Sequence, residues 1–154
     1  MIASGTGIAI EDLAHRLIEI VAQLGLAVPR GRRRHGDLKE VEFLTLSILH
    51  QRDTLIVGDI QRQLGVLPAQ MSRIIRSLED RDQPLIACRI NPQDKRKIDV
   101  ALTAAGAKAF QQHETSRIGA VATLLGRLPE DDLDDLQRLL ERVQELISAQ
   151  GSSV

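Results

Sequence analysis

The fold is written most plainly in residues 57–80, Val57-Gly58-Asp59-Ile60-Gln61-Arg62-Gln63-Leu64-Gly65-Val66-Leu67-Pro68-Ala69-Gln70-Met71-Ser72-Arg73-Ile74-Ile75-Arg76-Ser77-Leu78-Glu79-Asp80. Met71, Ile74, Ile75 and Leu78 fall at i, i+3, i+4 and i+7, one apolar stripe of a helix. The other faces carry Gln70, Ser72, Arg73, Arg76 and Ser77. Pro68 suits the first position of that helix, where its missing N–H costs nothing. A shorter helix from about Gly58 to Leu64 precedes it and ends at Gly65, which can take the left-handed cap conformation. Two short helices joined by a tight glycine turn make a helix-turn-helix.

Moving outward, Leu85–Ile90 and Lys97–Leu102 have strand patterning, and Asn91-Pro92-Gln93-Asp94 between them is turn chemistry. A helix from about Leu38 to His50 comes before, with Val41, Leu44 and Ile48 on one face, and Thr54–Val57 is a short β-prone stretch. Helix, turn, helix and hairpin are the chain order of a winged helix. At the N-terminus, residues 9–26 read as an amphipathic helix stopped by Gly25 and Pro29. After Thr103-Ala104-Ala105-Gly106 a long helix runs to about Arg127. Pro129 opens a last one, with Glu130, Asp131 and Asp132 in its first turn, where the helix dipole favours anions. Leu133, Leu136, Leu139, Leu140, Val143, Leu146 and Ile147 line one side of it.

The fold expected is mainly α with a small β-hairpin wing: a winged helix-turn-helix plus N- and C-terminal dimerisation helices. The whole of residues 1–154 reads as a single domain, with residues 38–106 as the winged lobe and residues 8–28 and 107–150 as the dimerisation helices. Three outer helices carry more apolar surface than a lobe of this size can cover. They either pack on each other within one chain or form a two-fold bundle with a second copy, and the second option suits a self-complementary interface.

Composition narrows the function. Hydrophobic residues are 43% and charged residues 27% of the 154, enough for a core and against disorder. Phe43 and Phe110 are the only large aromatics, which weakens a reading as a sugar or single-strand nucleic-acid binder built on stacking. The lone Cys88 rules out a disulfide framework within one chain. The four histidines, His15, His35, His50 and His113, are read without metal-ligand spacing, so no metal site is expected. No Ser/His/Asp arrangement, phosphate loop or paired-carboxylate motif points to an enzyme, and no cofactor is expected. No apolar run approaches the roughly 20 residues of a membrane span. The uncharged start followed by Glu11 and Asp12 is the wrong charge order for a secretory signal, so a cytoplasmic protein is expected. Residues 30–106 carry 14 basic and 10 acidic side chains, a net of +4, while residues 1–29 and 107–154 stand at −2 and −3. The middle of the chain can meet a polyanion while the ends do something else.

From Val41 to Gly106 the chain resembles the MarR family of winged-helix transcriptional regulators. The resemblance rests on the helix-turn-helix Val57–Asp80, the wing Asn91-Pro92-Gln93-Asp94-Lys95-Arg96, and Leu102-Thr103-Ala104-Ala105-Gly106. The family commonly shows Asp-Pro-x-Asp-x-Arg at the wing, followed by Leu-Thr-x-x-Gly. Asn91 replaces the first of those aspartates. Leu67 stands where the family usually places a serine that caps the recognition helix, and Asp82-Gln83-Pro84 looks like a two-residue insertion in a short glycine turn. The resemblance implies a homodimer on double-stranded DNA, at a pseudo-palindromic operator, acting as a repressor that a small-molecule effector relieves by changing the spacing of the two recognition helices. A competing reading is a winged helix used as a protein-interaction module with little or no DNA binding.

The residues singled out follow from both lines. Arg96 is implied by the resemblance as a minor-groove insertion, where a narrow groove concentrates negative potential. Asp94, two residues earlier, would orient that guanidinium through a charge-assisted pair. Lys95 and Lys97 read as phosphate neighbours. Gln70 suits adenine edges and Arg73 guanine edges in the major groove, while Arg76, one turn on, suits a phosphate. Ser72 is small enough for close approach and can bond a phosphate. Arg30, Arg32, Arg33 and Arg34 read first as a solvated basic loop, with an extended phosphate footprint as the alternative. Cys88 is read as sharing the inward face of a strand with Ile86 and Ile90, a packing thiol rather than a redox sensor.

Overall fold

The computed structural model of the chain describes residues 7–27 and 37–151. It holds α1 (Ile10–Ala27), α2 (Glu40–Gln51), β1 (Leu55–Ile56), α3 (Val57–Leu64), α4 (Pro68–Glu79), β2 (Ile86–Ile90), β3 (Ile98–Leu102), α5 (Ala104–Leu125) and α6 (Glu130–Gly151). The chain divides into two compact units: Arg30–Arg117, and Met1–Pro29 together with Ile118–Val154. The basic run Arg30, Arg32, Arg33 and Arg34 lies outside the described residues.

The Arg30–Arg117 unit is the winged helix. Its three strands pair antiparallel in the order β1-β3-β2. The β-prone stretch before α3 is thus a third strand of the wing sheet, with Leu55 opposite Val100 and Ile56 opposite Asp99. Leu46, Ile60, Met71, Leu78, Ile86 and Val100 are fully buried, so α2, α3, α4 and the sheet close on one core that Phe110 of α5 completes. The stripe expected on α4 holds, with Met71, Ile74 and Leu78 buried and Ile75 packed against the core. Gly65 takes φ 66°, ψ 31° and ends α3, where a residue with a Cβ would be strained.

Of the face expected on α2, Val41 packs against the core and Ile48 is half-buried, but Leu44 points outward and the fully buried positions lie beside that face. The core takes Phe43, Leu46 and Leu49 with Glu42 and Thr45, while Leu44 is 41% exposed. An acid at the first position of the i, i+3, i+4, i+7 set 42, 45, 46 and 49 is what hid that stripe from a reading by hydrophobicity.

The apparent insertion at residues 82–84 is absorbed by the return from α4 to β2. The Leu85 N–H donates to Leu78 O at 3.0 Å, and the Thr103 N–H donates to Leu85 O at 3.1 Å. The Thr103 hydroxyl donates to Pro84 O at 2.5 Å and accepts the Gly106 N–H at 3.0 Å, so it caps α5. A Cβ on Gly106 would stand 1.9 Å from Leu85 O. The Thr-x-x-Gly pattern therefore has a physical reading: a cap, and a backbone-on-backbone contact that only glycine permits.

The second unit contains α1, the end of α5 from Ile118, and α6. None of its described residues is buried. Ile10, Leu13, Leu17, Ile20 and Val21 of α1, and Leu139, Leu140, Val143, Leu146 and Ile147 of α6, are each at least 44% exposed. Two spacings escaped the sequence reading, His50 and Asp53 at i, i+3 and His15 and Glu19 at i, i+4; the side chains of His15 and Glu19 meet at 3.2 Å on α1. Among the described residues no group of three or more His, Cys, Asp or Glu side chains is placed to hold a metal ion. Nor is any helix among them long and apolar enough to cross a membrane.

Candidate nucleic-acid interface

Once α4 buries Met71, Ile74 and Leu78, its period of 3.6 turns Gln70, Ser72, Arg73 and Arg76 to solvent, and all four are exposed. The Ser72 hydroxyl donates to Pro68 O at 3.1 Å. Its proton is engaged on its own helix, so Ser72 offers close approach rather than a ready donor. At the helix start Leu67 has extended φ −74°, ψ 155° and makes no side-chain cap. Packing does not replace that cap, because Leu67 is 74% exposed. Pro68 and the Met71 N–H, which donates to Leu67 O at 2.9 Å, start the helix instead.

The wing is a built turn. The Asn91 side-chain oxygen accepts the N–H groups of Gln93 and Asp94 at 2.9 and 3.0 Å, while its amide donates to Asp99 Oδ1 at 2.9 Å. The substitution of asparagine for the family's aspartate is thus matched by Asp99: an aspartate at 91 could not donate to that carboxylate. Asp94 then holds Arg96 by three hydrogen bonds. The backbone N–H and Nε reach Oδ1 at 3.0 and 3.2 Å, and Nη2 reaches Oδ2 at 3.3 Å. These bonds from Arg96 keep the Asp94 carboxyl below its ordinary pKa, so it stays a carboxylate over the whole physiological range. The guanidinium is fixed at its root yet its side chain is 91% exposed. Lys95 and Lys97 flank it, also exposed. Among the described residues no hydrogen bond or ion pair joins the α4 set to the wing set. The lobe therefore offers a polar helix face and a braced cation as two separate contacts.

A third feature was missed in the sequence. Glu42 is 2% exposed. It accepts the Ser77 hydroxyl at 2.6 Å, the Lys39 N–H at 2.8 Å and Arg81 Nη2 at 3.2 Å. Burial alone would raise its pKa, but the bonds from Ser77, Lys39 and Arg81 outweigh it and hold the carboxyl below the ordinary value. This network ties α2 to the C-terminal end of α4 and fixes how the exposed face of α4 is presented.

Two further readings are refined. Of the strand face expected to point inward, Ile86 is buried and Cys88 half-buried, but Ile90 is 67% exposed. It pairs with Ile98 at the far end of the hairpin, beyond the core. Burial, then the hydrogen bond and charge of Glu79, push the Cys88 thiol up to about 12, which makes it a poor nucleophile. The chain's two phenylalanines stack on each other, with ring centroids 5.4 Å apart. His113 lies 4.7 Å from Phe43, and the Arg117 guanidinium sits 4.6 Å over the Phe43 ring. These aromatics are engaged with one another inside the lobe.

Residues 38–98 match the model of the MarR family. No curated protein sequence matches the chain. Among solved structures it is similar to apo wild-type MarR from E. coli, with a TM-score of 0.70 and 21% identity over 90% of this chain and 98% of that one. It is similar to Bordetella bronchiseptica BpsR, whose DNA binding is regulated by 6-hydroxynicotinic acid, with a TM-score of 0.64 and 19% identity over 86% and 98%. A third is the PcaV transcriptional regulator from Streptomyces coelicolor, solved with its natural ligand, with a TM-score of 0.57 and 19% identity over 94% and 98%.

Proposed function

We propose, from the premise that this chain is a winged helix-turn-helix transcriptional regulator of the MarR family, that it works as a cytoplasmic homodimeric repressor on a pseudo-palindromic duplex operator. A small-molecule effector releases it. The observation that carries the reading is the braced and exposed guanidinium of Arg96 at the wing tip, with the exposed polar face of α4 in the same lobe. Preorganised cations suit the phosphate-lined minor groove, because little side-chain order is lost on binding. In this reading Gln70 and Arg73 contact base edges, Arg76, Lys95 and Lys97 contact phosphates, Ser72 permits close approach, and Asp94 positions Arg96.

The homodimer is supported by the second unit, whose described residues include nothing buried. Helices with one apolar face need a cover, and a two-fold copy supplies one while spacing two lobes about one turn of duplex apart. Residues 38–106 serve as the DNA lobe and residues 8–28 and 107–150 as the dimerisation helices. The effector acts by favouring one of two dimer geometries. That BpsR responds to 6-hydroxynicotinic acid and PcaV has a natural ligand supports an effector here, with no pocket assigned.

The test starts by selecting bound sites from random duplex DNA. Arg96→Ala should weaken binding to every duplex and flatten its salt dependence, since fewer counterions are released. Arg73→Ala should cost about 1–3 kcal/mol on the selected site and relax its sequence preference. Unchanged affinity in both variants would sink the reading.

A further inference from the structure

Leu67 is the most exposed large apolar side chain among the described residues, at 74%. Its position makes that exposure costly twice over. As the residue before α4 it occupies the N-cap, where Ser, Thr, Asp or Asn would satisfy an open backbone N–H and stabilise the helix start. Its side chain gives no such bond, and it contributes no core packing in exchange. The exposed apolar side chains of the wing strands have an explanation inside the fold: Ile90 and Ile98 face each other across the hairpin. Leu67 has none. It sits one turn ahead of Gln70 and two ahead of Arg73, at the end of the helix proposed to enter the major groove.

The chemistry of that groove supplies what Leu67 lacks. Gln70 and Arg73 can read the donors and acceptors of purine edges, but neither registers the one apolar feature of the major-groove surface, the 5-methyl group of thymine. We propose that Leu67 is a specificity-determining residue that packs on the 5-methyl group of a thymine in each half-site. The inference rests on the DNA reading above and adds a base to it. An adenine read by Gln70 and a thymine methyl met by Leu67 fit an A·T-containing stretch at the centre of the half-site contact.

Deoxyuridine differs from thymidine only by that methyl, which makes the test direct. Each thymine of the selected site is replaced by deoxyuridine in turn, symmetrically in both half-sites. Affinity is measured for full-length wild type, Leu67→Ala and Leu67→Ser. One thymine position should lower wild-type affinity about fourfold per contact, as expected for losing one buried methyl, and the same replacement should leave both variants within about 1.5-fold. With a C·G pair placed at that position, exchanging cytosine for 5-methyldeoxycytidine should raise affinity for wild type and leave both variants unchanged, because that exchange again alters only the methyl. The thermal midpoint of Leu67→Ser should equal or exceed that of wild type, because serine restores the cap, so lost methyl dependence there is not misfolding. If wild type binds the site tightly and every deoxyuridine replacement is neutral, or if Leu67→Ala keeps the full methyl dependence, the Leu67 assignment fails while the regulator reading stands. If wild type selects no duplex at all, both fail.

Discussion

At the scale of single residues, the wing shows how one substitution is legible only through its partner. Asn91 has the oxygen an aspartate would use to accept the Gln93 and Asp94 N–H groups, and it adds an amide that donates to Asp99. Asn91→Asp should keep the turn but set two carboxylates against each other. The loss expected is about 1–3 kcal/mol in equilibrium urea unfolding. Adding Asp99→Asn to it should recover most of that loss, since the donor and acceptor merely change sides; a double variant no more stable than Asn91→Asp would show that the pair is not coupled. Asp94 and Arg96 illustrate the opposite case. Their two-residue spacing and opposite charges are enough to read the pair from sequence, because a turn brings such neighbours together whatever surrounds it.

At the scale of elements, the placement of α4 depends on contacts from α2 and from the turn into β2. Glu42 is the acid at the centre of one of them. Its pKa is lowered in the folded chain, so its contribution is complete above the pKa of an unfolded glutamate, about 4.3. That contribution is lost as pH falls through the lower native value. Glu42→Gln should therefore cost about 2–3 kcal/mol at pH 7, where a charge-assisted acceptor is lost. The gap to wild type should narrow in acid, measured as urea midpoints at pH 7 and at about pH 3. A constant gap would mean the carboxylate charge is not what matters. The other contact is at Gly106. A Cβ there would overlap the Leu85 carbonyl at 1.9 Å, and backbone gives way less than a flexible side chain. Gly106→Ala should destabilise by about 3 kcal/mol or more and lower DNA affinity through displacement of the wing strands. A variant of wild-type stability would show that α5 shifts freely.

At the scale of the whole molecule, the two units differ in how they are stabilised. The winged lobe closes its own core around Leu46, Ile60, Met71, Leu78, Ile86 and Val100. The unit of α1, α6 and the end of α5 buries none of its described residues, which is the observation behind the proposed second copy. Full-length protein should be dimeric by light scattering at low micromolar concentration. Deleting residues 129–154 should yield aggregate or unfolded chain, since it removes α6 from the proposed dimer interface and leaves the apolar face of α1 without that cover. A well-behaved full-length monomer would overturn the dimer proposal.

The sequence by itself determined the order of elements, the helix-turn-helix with its Gly65 cap, the stripe on α4, and the Asp94–Arg96 pair. Those features arise from interactions within a few residues, through helical period, glycine and proline conformational limits, and turn geometry. Only the tertiary structure decided which face of α2 is buried, because a buried glutamate interrupts the hydrophobic pattern and its partners Ser77 and Arg81 lie 35 and 39 residues away. It also decided that Thr54–Val57 contributes a third strand, that Ile90 leaves the core, and that Leu67 finds nothing to pack against. Each depends on what arrives from a distant part of the chain, and hydrophobic periodicity holds no record of the neighbour across the gap.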